Sequence, residues 1–286
     1  MSTVRVFGGD SGDFVSGKLL VWSALNALRP CKECPCDEVD LTELHHARPY
    51  TAAAIAALGV LADGRARLSL PSTQDARDFV VRSGLLNYFV CDEASHLSQS
   101  PRNVPVQHLA RVDSTFADRI SRAWEAEFGG LPAGLRPILA GHLDEIMLNA
   151  LSHAESAIGC IVAAQVYPTL RCVELAILDL GQTIRGHLTK NPLHKSIGDD
   201  AQAILRATEE GVSGTPEGQV NRLGDPNSGV GLYELRHYCE CGGGEMTIVS
   251  GAAMVTFGRS AHPVTGEFAG GFPDCLVSVR FRVDGA

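Results

Sequence analysis

Glu145, Asn149 and His153 recur every four residues in the stretch Asp144 to Ala154, Asp-Glu-Ile-Met-Leu-Asn-Ala-Leu-Ser-His-Ala. At about 3.6 residues per helical turn this spacing lays a carboxylate, an amide and an imidazole along one face. Ile146, Leu148 and Leu151 are then left to pack on the other side. An amide oxygen is a hard ligand suited to a divalent cation with phosphate oxygens, and a carboxylate beside it can hold a water as general base. Taken alone, the same stripe also fits a solvated face of an amphipathic helix.

Two further phrases carry chemistry. Ile177-Leu178-Asp179-Leu180-Gly181 places an acid at the end of an apolar run and a glycine two residues on. Such an acid can accept a hydrogen bond from an exocyclic amine, and the glycine lets a flat base approach the backbone. Gly229-Val230-Gly231 opens a helix over Leu232 to Tyr238. Glycine-rich backbone at a helix N-terminus offers free amides and a positive dipole to phosphates.

The elements that must position these residues follow from periodicity. In the first third, Val4 to Phe7, Val39 to Thr42 and Ala66 to Leu70 read as strands, and Phe14 to Leu28, Tyr50 to Leu61 and Thr73 to Ser83 as helices, with Pro30 closing the first helix. That alternation predicts a small α/β sheet. The prolines and polar residues up to Gln107 read as a linker, and Leu109 to Phe128 as a helix. Cys160 to Tyr167 and Cys172 to Leu180 should pair as a hairpin across a Pro-Thr turn, Asp199 to Glu210 is helical, and Met246 to Ser250, Met254 to Phe257 and Leu276 to Val283 are three further strands. The expected organisation is α/β (α+β) with two domains, residues 1–95 and 108–286, joined by a linker at 96–107.

Composition bounds the function. A chain of 286 residues with 45% hydrophobic content has room for one large or two medium domains. The formal charge of −9 argues against a broad nucleic-acid surface, which needs clustered Lys and Arg. Residues 1–12 lack the pattern of a secretory signal, and Tyr50 to Ala62 is too short to span a bilayer and reads as a buried helix, so no membrane association and a cytoplasmic location are expected. Nine cysteines in a reducing compartment should be buried hydrophobes or free thiols. Cys31, Cys34 and Cys36 resemble half of a metal site but need a fourth ligand, and an exposed thiol loop is the simpler reading.

Val39-Asp40-Leu41-Thr42 with Arg48-Pro49-Tyr50, and Val81 to Phe89, resemble the STAS-like domains fused ahead of some bacterial ATP-binding proteins. The phosphoacceptor phrase Asp-Ser-Ser-Gly is missing; Thr42 and Thr51 are the nearest hydroxyls, which makes a sensing or docking role the expectation. The second part resembles the Bergerat-fold (GHKL) ATPases, with anti-sigma-factor serine kinases as the nearest small relatives. Glu145, Asn149 and His153 match the N box, Asp179 and Gly181 the first glycine box, and Gly229 and Gly231 the second. The resemblance implies a sandwich of a mixed sheet with helices on one face, and ATP and Mg²⁺ as cofactors. Asn149 would hold the Mg²⁺ that bridges the phosphates and Asp179 would accept from the adenine amine. Gly229 and Gly231 would frame the triphosphate, with His153 part of the nucleotide-binding set, and Glu145 would be the catalytic group. Thr183 stands where the family has another glycine, and Asp274-Cys275 where it has Gly-Thr, leaving Ser250 or Thr256 as substitutes beside adenine.

The expected function is a regulatory protein that uses Mg-ATP binding, with slow hydrolysis or Ser/Thr phosphotransfer, to switch a protein partner through a lid at about 211–228. A histidine autokinase is disfavoured, since no dimerisation helix pair with an acceptor His precedes the ATPase-like part; His108 stands alone. The rival is a non-catalytic, nucleotide-gated interaction module. The partner and the oligomeric state, a homodimer included, stay open.

Overall fold

The computed structural model describes residues 2–6, 18–91, 103–131, 135–152, 155–214, 229–260 and 262–282. The chain is mixed α/β and contains one parallel and one antiparallel sheet. Strands β1 (Thr3–Arg5), β2 (Glu38–Asp40) and β3 (Arg67–Ser69) pair in parallel, in that order. They are connected through α1 (Lys18–Glu33) and α2 (Pro49–Leu61), and α3 (Gln74–Arg82) follows β3. The second sheet has the order β4-β5-β6-β8-β7, with β4 (Asn103–Leu109), β5 (Cys160–Tyr167), β6 (Cys172–Asp179), β7 (Gly244–Phe257) and β8 (Val264–Arg282). All its pairings are antiparallel, so the mixed sheet expected here is replaced by two unmixed ones.

β6 is buried at every one of its eight positions. Its side chains alternate between two cores. Val173, Leu175 and Ile177 join Val162 and Ala164 of β5 against Phe116, Ile120 and Trp124 of α4 (Thr115–Phe128). The same core takes Leu135 of α5 (Leu135–Pro137), Ile146 and Met147 of α6 (Leu143–Ser152), Ile204 of α8 (Asp200–Ala207) and Leu235 of α9 (Gly231–Tyr238). Ala176 and Leu178, with Ile161 and Ala163, face the other way, into a core built largely from α1 and α2. Helices therefore cover both faces of this sheet, not one. The run of small residues in α2 makes this close approach to β5 and β6 feasible, and Pro49 to Gly59 are all buried, as a helix apolar on all sides must be.

Several boundaries differ from the pattern-based reading for identifiable reasons. β4 replaces part of the expected linker: Val104 and Val106 are both buried, one in each core, the register shifts between Val104 and Gln107, and Pro105 is tolerated because β4 is an edge strand. The helix expected from Leu109 starts only at Thr115. Pro30 lies inside α1 and does not close it: the missing N–H removes one bond, back toward Asn26, while the Pro30 carbonyl still accepts from Cys34 N–H at 3.0 Å. On α6 the buried stripe is Leu143, Ile146, Met147 and Ala150, with Leu148 and Leu151 only half-buried. Thr247 and Thr256, nine residues apart on β7, place their hydroxyls 2.9 Å apart. A straight strand would separate them by about 30 Å, so β7 doubles back near Gly251, where φ is +63°. Its two arms are the two short strands that the sequence suggests.

Burial on both faces also leaves Glu174 of β6 without water. Arg48, at the entry of α2, and Arg280 of β8 both pair with its Oε1, Arg280 Nε at 2.7 Å. Arg48 and Glu174 are each 1% exposed, and the Arg48 guanidinium also lies over the Tyr167 ring, 5.8 Å from its centroid. Breaking a buried pair leaves an uncompensated charge, so Arg48→Met should cost about 3 kcal/mol, at the low end of the usual range because Arg280 remains. Urea unfolding followed by fluorescence should show a lower midpoint in one transition. A midpoint equal to wild type would mean that the pair carries no net stability.

Candidate functional site

Asn149 on α6, Asp179 at the end of β6, and Gly229 and Gly231 at the start of α9 line one cleft. Its walls are mainly apolar, with Ile146, Ile177, Ile184, Leu188, Val212 and Leu232 among them. The polar atoms are few and grouped: Asn149 on one wall, Asp179 on the floor, and Gln182, Thr183, His187 and Ser213 around the side.

Each polar residue is placed by its element. The α6 stripe that packs on the sheet turns Glu145 and Asn149 toward α9. Glu145 Oε1 accepts a hydrogen bond from Val230 N–H at 3.2 Å, across 85 residues of sequence. The glycines on either side are required by close approach. A Cβ on Gly231 would sit 3.1 Å from Glu145 Cδ, and one on Gly229, whose φ is +63°, would sit 2.7 Å from Val212 O. Gly181 is not part of the cleft wall; its N–H donates to Asp179 Oδ1 at 3.1 Å and so orients the acid. His153 and residues 215–228, which hold most of the expected lid, lie outside the described residues, while Val212, Ser213 and Gly214 line the cleft.

The floor is electrostatically unusual. Burial pushes the Asp179 carboxyl well above the usual carboxylate range; nearby Asp274 adds to this, and the Gly181 N–H and Lys32 oppose it. Asp274, fully buried, is itself raised by burial and held down by Lys32, whose Nζ lies 2.6 Å from Asp274 Oδ1 and 3.1 Å from Leu180 O. Cys275 stands opposite Asp179 across the β6/β8 pair and lines the cleft; burial and the two acids push its thiol upward. Cys160, opposite Asp179 on β5, is pushed up to about 12 by burial and then by Asp179.

The departures from the glycine-box pattern have structural explanations. Thr183 caps α7 (Ile184–Leu188), its Oγ1 accepting from Gly186 N at 3.0 Å. Neither Ser250 nor Thr256 reaches the cleft wall. The Ser250 hydroxyl donates to Asp274 O at 2.9 Å and accepts from Ile184 N–H at 3.0 Å, fastening α7 to the sheet, and Thr256 pairs with Thr247. Helix α7 itself, which brings Ile184, His187 and Leu188 to the cleft, was missed by periodicity; the cap at Thr183 was its local signal.

Outside the cleft, Cys31 and Cys36 are buried and Cys34 alone of the triplet is exposed. Among the described residues no three of His, Cys, Asp and Glu are grouped to hold a metal. The Cys36 thiol lowers Cys31 to about 7. Thr51 is fully buried within α2, which closes it to phosphorylation in the folded chain, while Thr42 is exposed with its hydroxyl donating to Asp40 Oδ1 at 2.7 Å. Among the described residues no helix is long and apolar enough to cross a membrane. Compared with known proteins, the chain matches no family model, no curated protein and no solved structure.

Asp179 has a measurable stability signature. In the unfolded chain its carboxyl titrates near 3.9, and in the native state higher. Between those values the native state holds a proton that the unfolded state has lost. The contribution of Asp179 is therefore full below the unfolded value and is lost as pH rises through the folded one. Asp179→Asn removes this loss, so its thermal midpoint relative to wild type should rise from pH 5 to pH 8. A difference that is constant with pH would show that Asp179 titrates normally.

Proposed function

We propose that the chain binds ATP with Mg²⁺ in this cleft, in a Bergerat-type arrangement preceded by a STAS-like segment, and uses nucleotide binding and slow turnover to switch a protein partner. The observation that carries the reading is the convergence of Asn149, Asp179, Gly229 and Gly231, spread over more than eighty residues, on one largely apolar cleft.

In this reading the apolar walls take the flat faces of the base, and Asp179, when ionised, accepts from the exocyclic amine. The start of α9 presents backbone amides and its dipole to the phosphates. Mg²⁺ keeps several waters and phosphate oxygens and needs few protein ligands; the half-buried Asn149 amide on the cleft wall fits that demand. The ion would supply charge neutralisation to the phosphates. Glu145 is placed beside the glycine turn, where a carboxylate can take a proton from an attacking water or a Ser/Thr hydroxyl.

A second reading, a nucleotide-gated interaction module without turnover, is favoured by one contact. Glu145 is already engaged as acceptor for Val230 N–H, which makes it an anchor for the turn.

ATP should raise the thermal midpoint of wild type by mass action, more with Mg²⁺ than without. Asn149→Ala should remove the Mg²⁺ dependence of that shift; a variant still needing Mg²⁺ to the same degree would place the ion elsewhere. Glu145→Gln keeps an acceptor for Val230 N–H but cannot act as a base, so turnover should fall about 10²-fold or more while binding persists. Wild type that binds ATP without hydrolysis or phosphotransfer, with Glu145→Gln indistinguishable from it, would leave the gated module standing. Absence of any ATP-dependent shift in wild type would sink both readings.

A further inference from the structure

Lys32 belongs to the last turn of α1, in the N-terminal part of the chain, yet its ammonium reaches the underside of the cleft floor. It bridges two strands there, donating to Leu180 O just beyond β6 and to Asp274 Oδ1 on β8. Leu180 follows Asp179 in sequence, and Asp274 precedes Cys275, the residue paired with Asp179 across the sheet. The Asp274 side chain has no exposed surface, while the Lys32 side chain is 29% exposed.

We infer that Lys32 is a positioning residue for base recognition: its ammonium clamps the Leu180 carbonyl and the Asp274 carboxylate together beneath Asp179 and places a positive charge there. The N-terminal layer thereby controls nucleotide affinity. The inference rests on the nucleotide reading above and adds to it the route by which α1 acts on the cleft.

The charges around Asp179 support this assignment. Asp274 and Cys275 face it from β8, Cys160 from β5 and His187 from α7 across the cleft, and Glu145 lies beyond, on α6. Of these neighbours Asp274 opposes a negative charge on Asp179, and Lys32 offsets it from α1. A base amine binds the ionised acid, so affinity should rise with pH until Asp179 has lost its proton. Removing Lys32 should move that rise to higher pH, and removing the Asp274 charge should move it to lower pH. A purely structural clamp would instead weaken binding equally at every pH.

The test compares full-length wild type, Lys32→Met, Lys32→Arg and Asp274→Asn in two measurements. ATP affinity is measured by calorimetry from pH 5.5 to 9. The Asp179 carboxyl is titrated without nucleotide by ¹³C NMR, assigned with Asp179→Asn. For Lys32→Met the affinity rise and the titration should both move up by about one pH unit, which is about tenfold weaker binding on the rising limb, with the same plateau at high pH. Lys32→Arg should restore the wild-type profile. Asp274→Asn should shift both curves downward, and it carries the test if Lys32→Met does not fold. Curves that stay where wild type has them, or affinity lost uniformly across pH, would overturn the role of Lys32 while leaving nucleotide binding intact. A titration that moves as expected in a protein that binds no ATP at any pH would uphold control of Asp179 by Lys32 and remove the nucleotide reading instead.

Discussion

Strand β6 is covered on both faces, so a carboxylate in it must find its partners inside the protein. It carries two, Glu174 near its start and Asp179 at its end, in an otherwise apolar run. Burying an unpaired carboxylate costs several kcal/mol, and the two ends answer this differently. Glu174 is held between the Arg48 and Arg280 guanidinium groups. Among the described residues Asp179 is met by a backbone N–H from Gly181 and a more remote ammonium, and burial drives its carboxyl toward the neutral form. One acid is spent on joining the layers and the other is left available to a ligand.

The same double coverage ties the N-terminal third to the cleft. Because α1 and α2 occupy the face of the sheet opposite α4, α6 and α9, side chains from α1 can approach the floor of the cleft from behind. Lys32 does so, and Arg48 does the equivalent at the other end of β6. The N-terminal layer is thus in contact with Glu174 directly, and with the backbone next to Asp179 through the Leu180 carbonyl.

Around the cleft, most polar groups are held by contacts that also shape the backbone. Glu145 accepts from the glycine turn, Thr183 caps α7, and Ser250 joins α7 to β8. These contacts hold the walls of the cleft in place around Asn149 and Asp179. In a largely apolar site of this kind the few polar groups fix the orientation of whatever binds.

The sequence by itself determined what depends on local spacing. The four-residue interval of Glu145 and Asn149, the hairpin of β5 and β6 across Pro168, the burial of α2 and the start of α9 at Gly231 all follow from periodicity and turn chemistry. Strand β4 escaped because Pro105 and its polar neighbours resemble a linker until β5 provides a ladder for them. The short helix α7 escaped because five residues are too few to establish a period. Only the tertiary structure decided which residues meet across the chain. Lys32 reaches Asp274 over 242 positions, Arg48 reaches Glu174 over 126, and Glu145 reaches Val230 over 85. Contacts of that kind depend on how the layers stack, and stacking is set by the summed burial of many side chains, not by any motif that contains the residues themselves.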